Sequence, residues 1–93
     1  MLILPILLFM HDLHAADQIL KLVLVEAKEN KLSVVKKIII DLGQVIEHGA
    51  EIDPDNLIFN IKLLAKNTPA EKAEIIINKV GNDTWRLVEI EGD

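Results

Sequence analysis

Few residues in this chain have side chains suited to chemistry. Its histidines are His11, His14 and His48, its one serine is Ser33, and it has no cysteine. His11 and His14 are three apart, which makes them neighbours on one face of a helix, and Asp17 extends the same row. Imidazole and carboxylate donors in such a row can hold a divalent metal, but the spacing alone is a loose signal. A histidine at a helix start is more often a cap or a solvated side chain, and His14 by itself reads as a surface residue. His48 lies in a loop with Glu47 and Glu51 and reads as solvated. Asp53, followed by Pro54, has the pattern of a helix cap and not of a catalytic carboxylate. No nucleophile lies beside a base and no carboxylate dyad stands out, so nothing supports an enzyme.

Composition narrows the partners. Fifteen acidic residues against ten basic ones leave a net charge of −5, the wrong sign for tracking phosphates. Phe9, Phe59 and Trp85 are the only rings, too few to stack bases, and Lys36-Lys37 is too short for a nucleic-acid patch. Trp85 fits packing on a sheet or anchoring a protein partner. The lack of cysteine removes disulfides, thiolate nucleophiles and cysteine-based zinc or iron–sulfur sites. A chain of 93 residues makes one small domain with an aliphatic core. These features describe a soluble, cytoplasmic binding domain that contacts neither nucleic acid nor membrane.

Residues 1–9, MLILPILLF, are apolar throughout and form an N-terminal extension ahead of a single domain at 10–93. The run is about half of the ~20 residues that a membrane helix needs, and Pro5 interrupts it. A secretory signal would need a basic segment before it, and cleavage near Ala15 or Ala16 would remove the start of the first helix. Two further readings stay open. One makes Met10 the authentic first residue. The other packs the extension on the domain as an edge strand, where Pro5 is tolerated.

Apolar spacing supplies the elements that must hold any site. Leu13, Ala16, Leu20, Val23, Leu24 and Ala27 predict a helix over 12–29, with Ile19, Leu22 and Val25 broadening its stripe and Asp12 or His11 as cap. Residues 34–42 predict a strand with Val34, Ile38, Ile40 and Leu42 on one face and Lys37 and Asp41 on the other. Residues 44–52 show no periodicity. A second helix over 54–66 buries Leu57, Ile58, Ile61, Leu64 and Ala65. Strands follow at 73–80 and 84–91, joined by a tight turn at Gly81-Asn82-Asp83 that would let them pair as a hairpin. The fold class is α+β, a two-layer sandwich with two helices on one face of a small mixed three-stranded sheet.

In this order the residues resemble a known family. Met10-His11-Asp12 opens a helix carrying Ala16-Asp17 and Ile19-Leu20. The run Val35-Lys36-Lys37-Ile38-Ile39-Ile40-Asp41-Leu42-Gly43 is a basic, then aliphatic strand that ends in glycine. Leu57-Ile58-Phe59, Asn67-Thr68, Glu71-Lys72-Ala73-Glu74-Ile75 and Val88-Glu89-Ile90-Glu91 complete the set. The whole resembles the HypA/HybF hydrogenase nickel-maturation proteins, which open with Met-His-Glu. It departs from them in three places. The family's zinc module, with two Cys-x-x-Cys pairs between the last two strands, is replaced by Gly81-Asn82-Asp83, so no zinc is expected. Gln44 stands where the family often has an acid, and Val45 to Ile52 looks longer than usual.

The resemblance implies a nickel-binding, metallochaperone-like accessory protein that assists nickel insertion into hydrogenase, or urease, and is not an enzyme. It implies nickel(II) at Met10, His11 and Asp12: the amine of Met10, the amide and imidazole of His11 and the amide of Asp12, with His14 as a possible addition. Such nitrogens suit the square-planar preference of nickel(II). If the chain starts at Met1, the Met10 nitrogen is an amide and the amine donor is lost. The implied partners are a nickel-handling GTPase and the hydrogenase large subunit. The alternative is a degenerate member, a metal-free protein-interaction or regulatory module.

Overall fold

In the computed structural model, residues 13–47 and 49–93 are described. The first element is helix α1, Leu13–Glu29, whose buried residues Ala15, Ala16, Ile19, Leu20, Val23 and Ala27 form one continuous stripe. Ile19 is therefore central to the stripe, whereas Leu22 and Val25, expected to widen it, are exposed. A left-handed residue ends the helix. Lys31 takes φ 60°, so that Leu32 N–H donates to Ala27 O at 2.8 Å and Lys31 N–H to Lys28 O at 3.1 Å. This pairing closes the last turn, and Leu32 packs on the core beneath it.

Strand β1, Val35–Leu42, follows. Its core face is Val35, Ile38, Ile40 and Leu42, all at most 1% exposed. Val34 is not part of that face: it is exposed and Val35 takes its place. The reason is a register shift between Val35 and Lys37 against the neighbouring strand, which changes the phase of the alternation.

The stretch that shows no periodicity contains a small ribbon. Strands β2, Ile46–Glu47, and β3, Ala50–Glu51, pair antiparallel as Ile46 with Glu51 and Glu47 with Ala50. Two-residue strands are too short to leave a period in the sequence. Ile52 N–H donates to Val45 O at 2.8 Å, and the fully buried Ile52 roots the ribbon in the core.

Helix α2, Pro54–Leu64, starts as its sequence requires, with Asp53 extended at φ −86° and its Oδ2 accepting from Asn56 N–H at 3.0 Å. It ends at Leu64, shorter than expected. Asn67, at φ 66°, turns the chain, and Thr68 Oγ1 donates to Ala65 O at 2.6 Å. Leu57, Ile61 and Ala65 are buried as expected. Leu64 is half-buried and packs on the rim of the core.

Strands β4, Glu74–Lys79, and β5, Trp85–Gly92, complete a three-stranded sheet in the order β4-β1-β5. β4 runs parallel to β1 and β5 antiparallel to it, so the sheet is mixed. The expected hairpin is therefore wrong, because β4 and β5 do not pair. The chain between them passes over the end of β1, held by Val80 N–H to Leu42 O, Gly43 N–H to Thr84 O and Gln44 N–H to Asn82 O at 2.7–2.9 Å. Gly43 has to be glycine here, since a Cβ would overlap the Asn82 backbone and side chain. β1 is the strand with the most buried aliphatic side chains, and placing it centrally covers both of its backbone edges.

Both helices share a single core with the inward residues of β1, so they lie on one face of the sheet. Among the described residues, no helix packs on the other face. It carries Ile39 and Ile76 side by side, with Arg86 against Asp41 at 3.2 Å and Lys37 against Glu91 at 4.0 Å. A hydrogen bond and charge repulsion from Glu91 hold the Glu89 carboxyl above its ordinary pKa.

Leu57→Ala should lower unfolding free energy by about 2–5 kcal/mol, and Leu64→Ala by less, because Leu64 is only partly enclosed. Lys31→Gly should act in the opposite direction, by up to about 1 kcal/mol, by relieving the left-handed backbone. Urea midpoints at constant slope measure all three.

Candidate metal centre

The described part of the candidate site is the first turn of α1. Met10, His11 and Asp12, the nickel ligands that the resemblance implies, lie outside the described residues, and so does His48. Leu13 is half-buried and begins the helix, so the three implied ligands directly precede its N-terminus. His14 is exposed on this turn. Asp17, one turn further, faces Lys21 at 3.0 Å, which engages its carboxylate in an ion pair along the helix. Among the described residues no three His, Cys, Asp or Glu side chains converge on a point where a metal could sit. His14 and Asp17 thus do not form a centre by themselves.

Sequence reasoning missed one contact. The backbone N–H of His14 donates to Glu47 Oε1 at 3.1 Å, across 33 positions of chain. The first N–H groups of any helix lack partners within it and carry a partial positive charge, so a carboxylate there is favoured. α1 is capped in this way by a side chain from the ribbon. Three links hold that carboxylate in place: the Glu47–Ala50 pairing, the buried Ile52 at the ribbon's root, and Lys79 on β4, whose Nζ is 3.3 Å from Glu51 Oε2. Glu47 was visible in the sequence only as a neighbour of His48, and nothing local links it to residue 14.

The remaining candidates have structural roles. Asp53 is the cap of α2. Trp85 packs against the core from β5. Lys36 and Lys37 pair with Asp93 and Glu91 as part of a solvated strand. No helix among the described residues is long and apolar enough to cross a membrane.

Glu47→Ala should remove the cap and lower stability by about 0.5–2 kcal/mol, while Glu47→Gln, which can still accept the bond, should retain most of it. Amide exchange at His14, followed by NMR, should quicken in the alanine variant and change little in the glutamine one.

Comparisons with known proteins give the family. A family model described as hydrogenase/urease nickel incorporation, metallochaperone, hypA matches residues 10–85. The hydrogenase maturation factor HypA of Rhizobium leguminosarum bv. viciae is 30% identical over 78 residues, covering 84% of this chain and 66% of the relative. That of Legionella pneumophila strain Corby is 31% identical over 71 residues, covering 76% of this chain and 59% of the relative. The chain thus spans about two thirds or less of the length of these relatives. Among solved structures, the solution structure of the Ni metallochaperone HypA from Helicobacter pylori superimposes with a TM-score of 0.70 at 11% identity, over 87% of this chain and 96% of that one, a likeness of fold. With the matched region opening at Met10 and running through both helices into the last strand, the chain belongs to the HypA family of hydrogenase and urease nickel-incorporation proteins.

Proposed function

We propose that this chain is a nickel-binding accessory protein that carries nickel(II) for hydrogenase maturation, and that it does no catalysis itself. The observation that supports this best is the extent of the family match, which begins at Met10, where Met10-His11-Asp12 stand directly ahead of α1. In this reading residues 10–93 are the nickel-binding unit and residues 1–9 lie ahead of it. Nickel is the cargo. Its donors are the nitrogen of Met10, the amide and imidazole of His11 and the amide of Asp12, with His14 close enough in sequence to assist. Four nitrogens in a plane suit nickel(II), and a set made of backbone and imidazole nitrogens must lose protons to bind, so acid releases the metal.

The first helix supports this reading. The helix that follows the ligands is anchored by its buried stripe and capped from outside by Glu47, so the ligand-bearing residues join the domain at a fixed point. In this reading the cargo passes to a nickel-handling GTPase and the hydrogenase large subunit, in the cytoplasm, without zinc.

The test is a nickel titration by calorimetry. A chain beginning at Met10 should bind one nickel, His11→Ala should abolish binding, and affinity should fall as pH is lowered. The full chain should bind more weakly, because its Met10 nitrogen is an amide. A visible ligand-field band should accompany binding. Equal affinity in the two chains would move the donors to His11, His14 and Asp17. No binding by either would leave the metal-free interaction module as the better account.

A further inference from the structure

Between α1 and β5 runs a groove made of two adjoining hollows, of about 230 Å³ and 660 Å³, which share Glu26 and Ile90 as lining residues. Its floor is aliphatic. Leu87 and Ile90 of β5 reach the rim of the core here, and Leu32 continues the floor beyond the end of α1. Leu22 of α1 and Val88 of β5 flank the first hollow, and both are exposed, at 38% and 41%. β5 is the last strand on this side of the sheet, so the sheet ends before it can cover Leu22.

The groove is charged in one sense. Glu26, Glu89 and Glu91 line it, and no lysine, arginine or histidine among the described residues does. Of these three carboxylates only Glu91 has a basic partner at ion-pairing distance, Lys37 at 4.0 Å. By a hydrogen bond and by repulsion, Glu91 holds the Glu89 carboxyl above its ordinary pKa, as neighbouring like charges do when counter-charge is scarce. The groove also runs toward the C-terminal end of α1, where the helix dipole favours a cation. Strand addition does not complete it. Ile39 faces Glu89 while Ile40 faces Leu87, so Val88 is bulged out of the ladder, and a bulged edge is a poor template for another strand.

We propose that this groove binds a basic amphipathic helix of a partner protein. An aliphatic side chain of that helix enters the hollow between Leu22 and Val88, over Leu87 and Ile90. Lysine or arginine side chains on its flanks meet Glu26 and the Glu89–Glu91 pair. From Leu22 to Asn30 the groove follows α1 for about 12 Å, roughly two turns of the docked helix. That length suits one or two apolar anchors with charged flanks, which makes a weak contact that salt loosens. The groove begins about 14 Å along α1 from Leu13, so the docked helix stands clear of the end where the proposed nickel ligands join the domain. A partner is held beside the cargo in this way without competing for its ligands.

Chemical-shift mapping on the full chain tests the proposal, with a synthetic peptide helix that bears leucines on one face and lysines on the other as the probe. The amides of Leu22, Glu26, Val88 and Ile90 should shift on titration, and the same peptide with glutamates in place of its lysines should shift none of them. Glu26→Lys should weaken binding by about ten-fold or more while circular dichroism stays native, because it sets like charges across the contact. Leu22→Ala should weaken it too. Asp83→Lys, the same change of charge at an exposed site outside the groove, should leave affinity within about two-fold. Undiminished binding by E26K, equal weakening by D83K, or shifts centred away from the groove would each overturn the proposal. So would the same amides shifting with protein concentration alone, or on removal of residues 1–9, since a second copy or the chain's own extension would then occupy the groove.

Discussion

The position of β1 between β4 and β5 is the constraint on which the rest of the structure depends. Ile38, Ile40 and Leu42 are fully enclosed, and a strand with that much apolar surface gains most when helices cover it and its backbone is bonded on both edges. Once β1 is central, the parallel strand β4 has to be reached through α2, and β5 has to return on the far side. The α1 and α2 stripes then have one surface to cover, and both cover it. The other face carries surface ion pairs such as Arg86–Asp41, which contribute little to stability.

The same placement concentrates irregular chain at one end of β1. Gly43 lies under the β4–β5 connection so closely that no side chain fits, and the ribbon departs from this point. The ribbon returns to the body at Ile52 and extends Glu47 to the first turn of α1. The end of the domain where the implied nickel ligands join it is thus positioned by β1 through a short chain of contacts, although β1 supplies no ligand itself.

The sequence resemblance implies that other members of the family would carry a zinc module between the last two strands. Here those strands are joined by a short connection that is bonded to the end of β1, and they are separated by β1 itself. An insertion at that point extends from the sheet's end without disturbing any ladder, because β4 and β5 are not partners. The topology therefore accommodates an insertion at this connection without a change in the core.

Much of this was legible in the residues. The two helices, the three strands and the Asp53 cap follow from period and local chemistry, because each is decided by side chains within a turn or two of one another. The family, too, could be read from the order of short motifs that begins at Met10-His11-Asp12. Three features depended on contacts far apart in the chain. The strand order was one, since a Gly-Asn-Asp sequence marks a turn but does not say whether the strands on either side pair with each other or with β1. The phase at Val34 and Val35 was another, set by a bulge against β5. The Glu47 cap on α1 was the third, because the unsatisfied N–H groups of a helix start can be met by any carboxylate that the fold carries there. Local sequence determined which segments became helix or strand. Only the tertiary structure decided which edges met, because backbone hydrogen bonds are the same for every residue and carry no record of their partner.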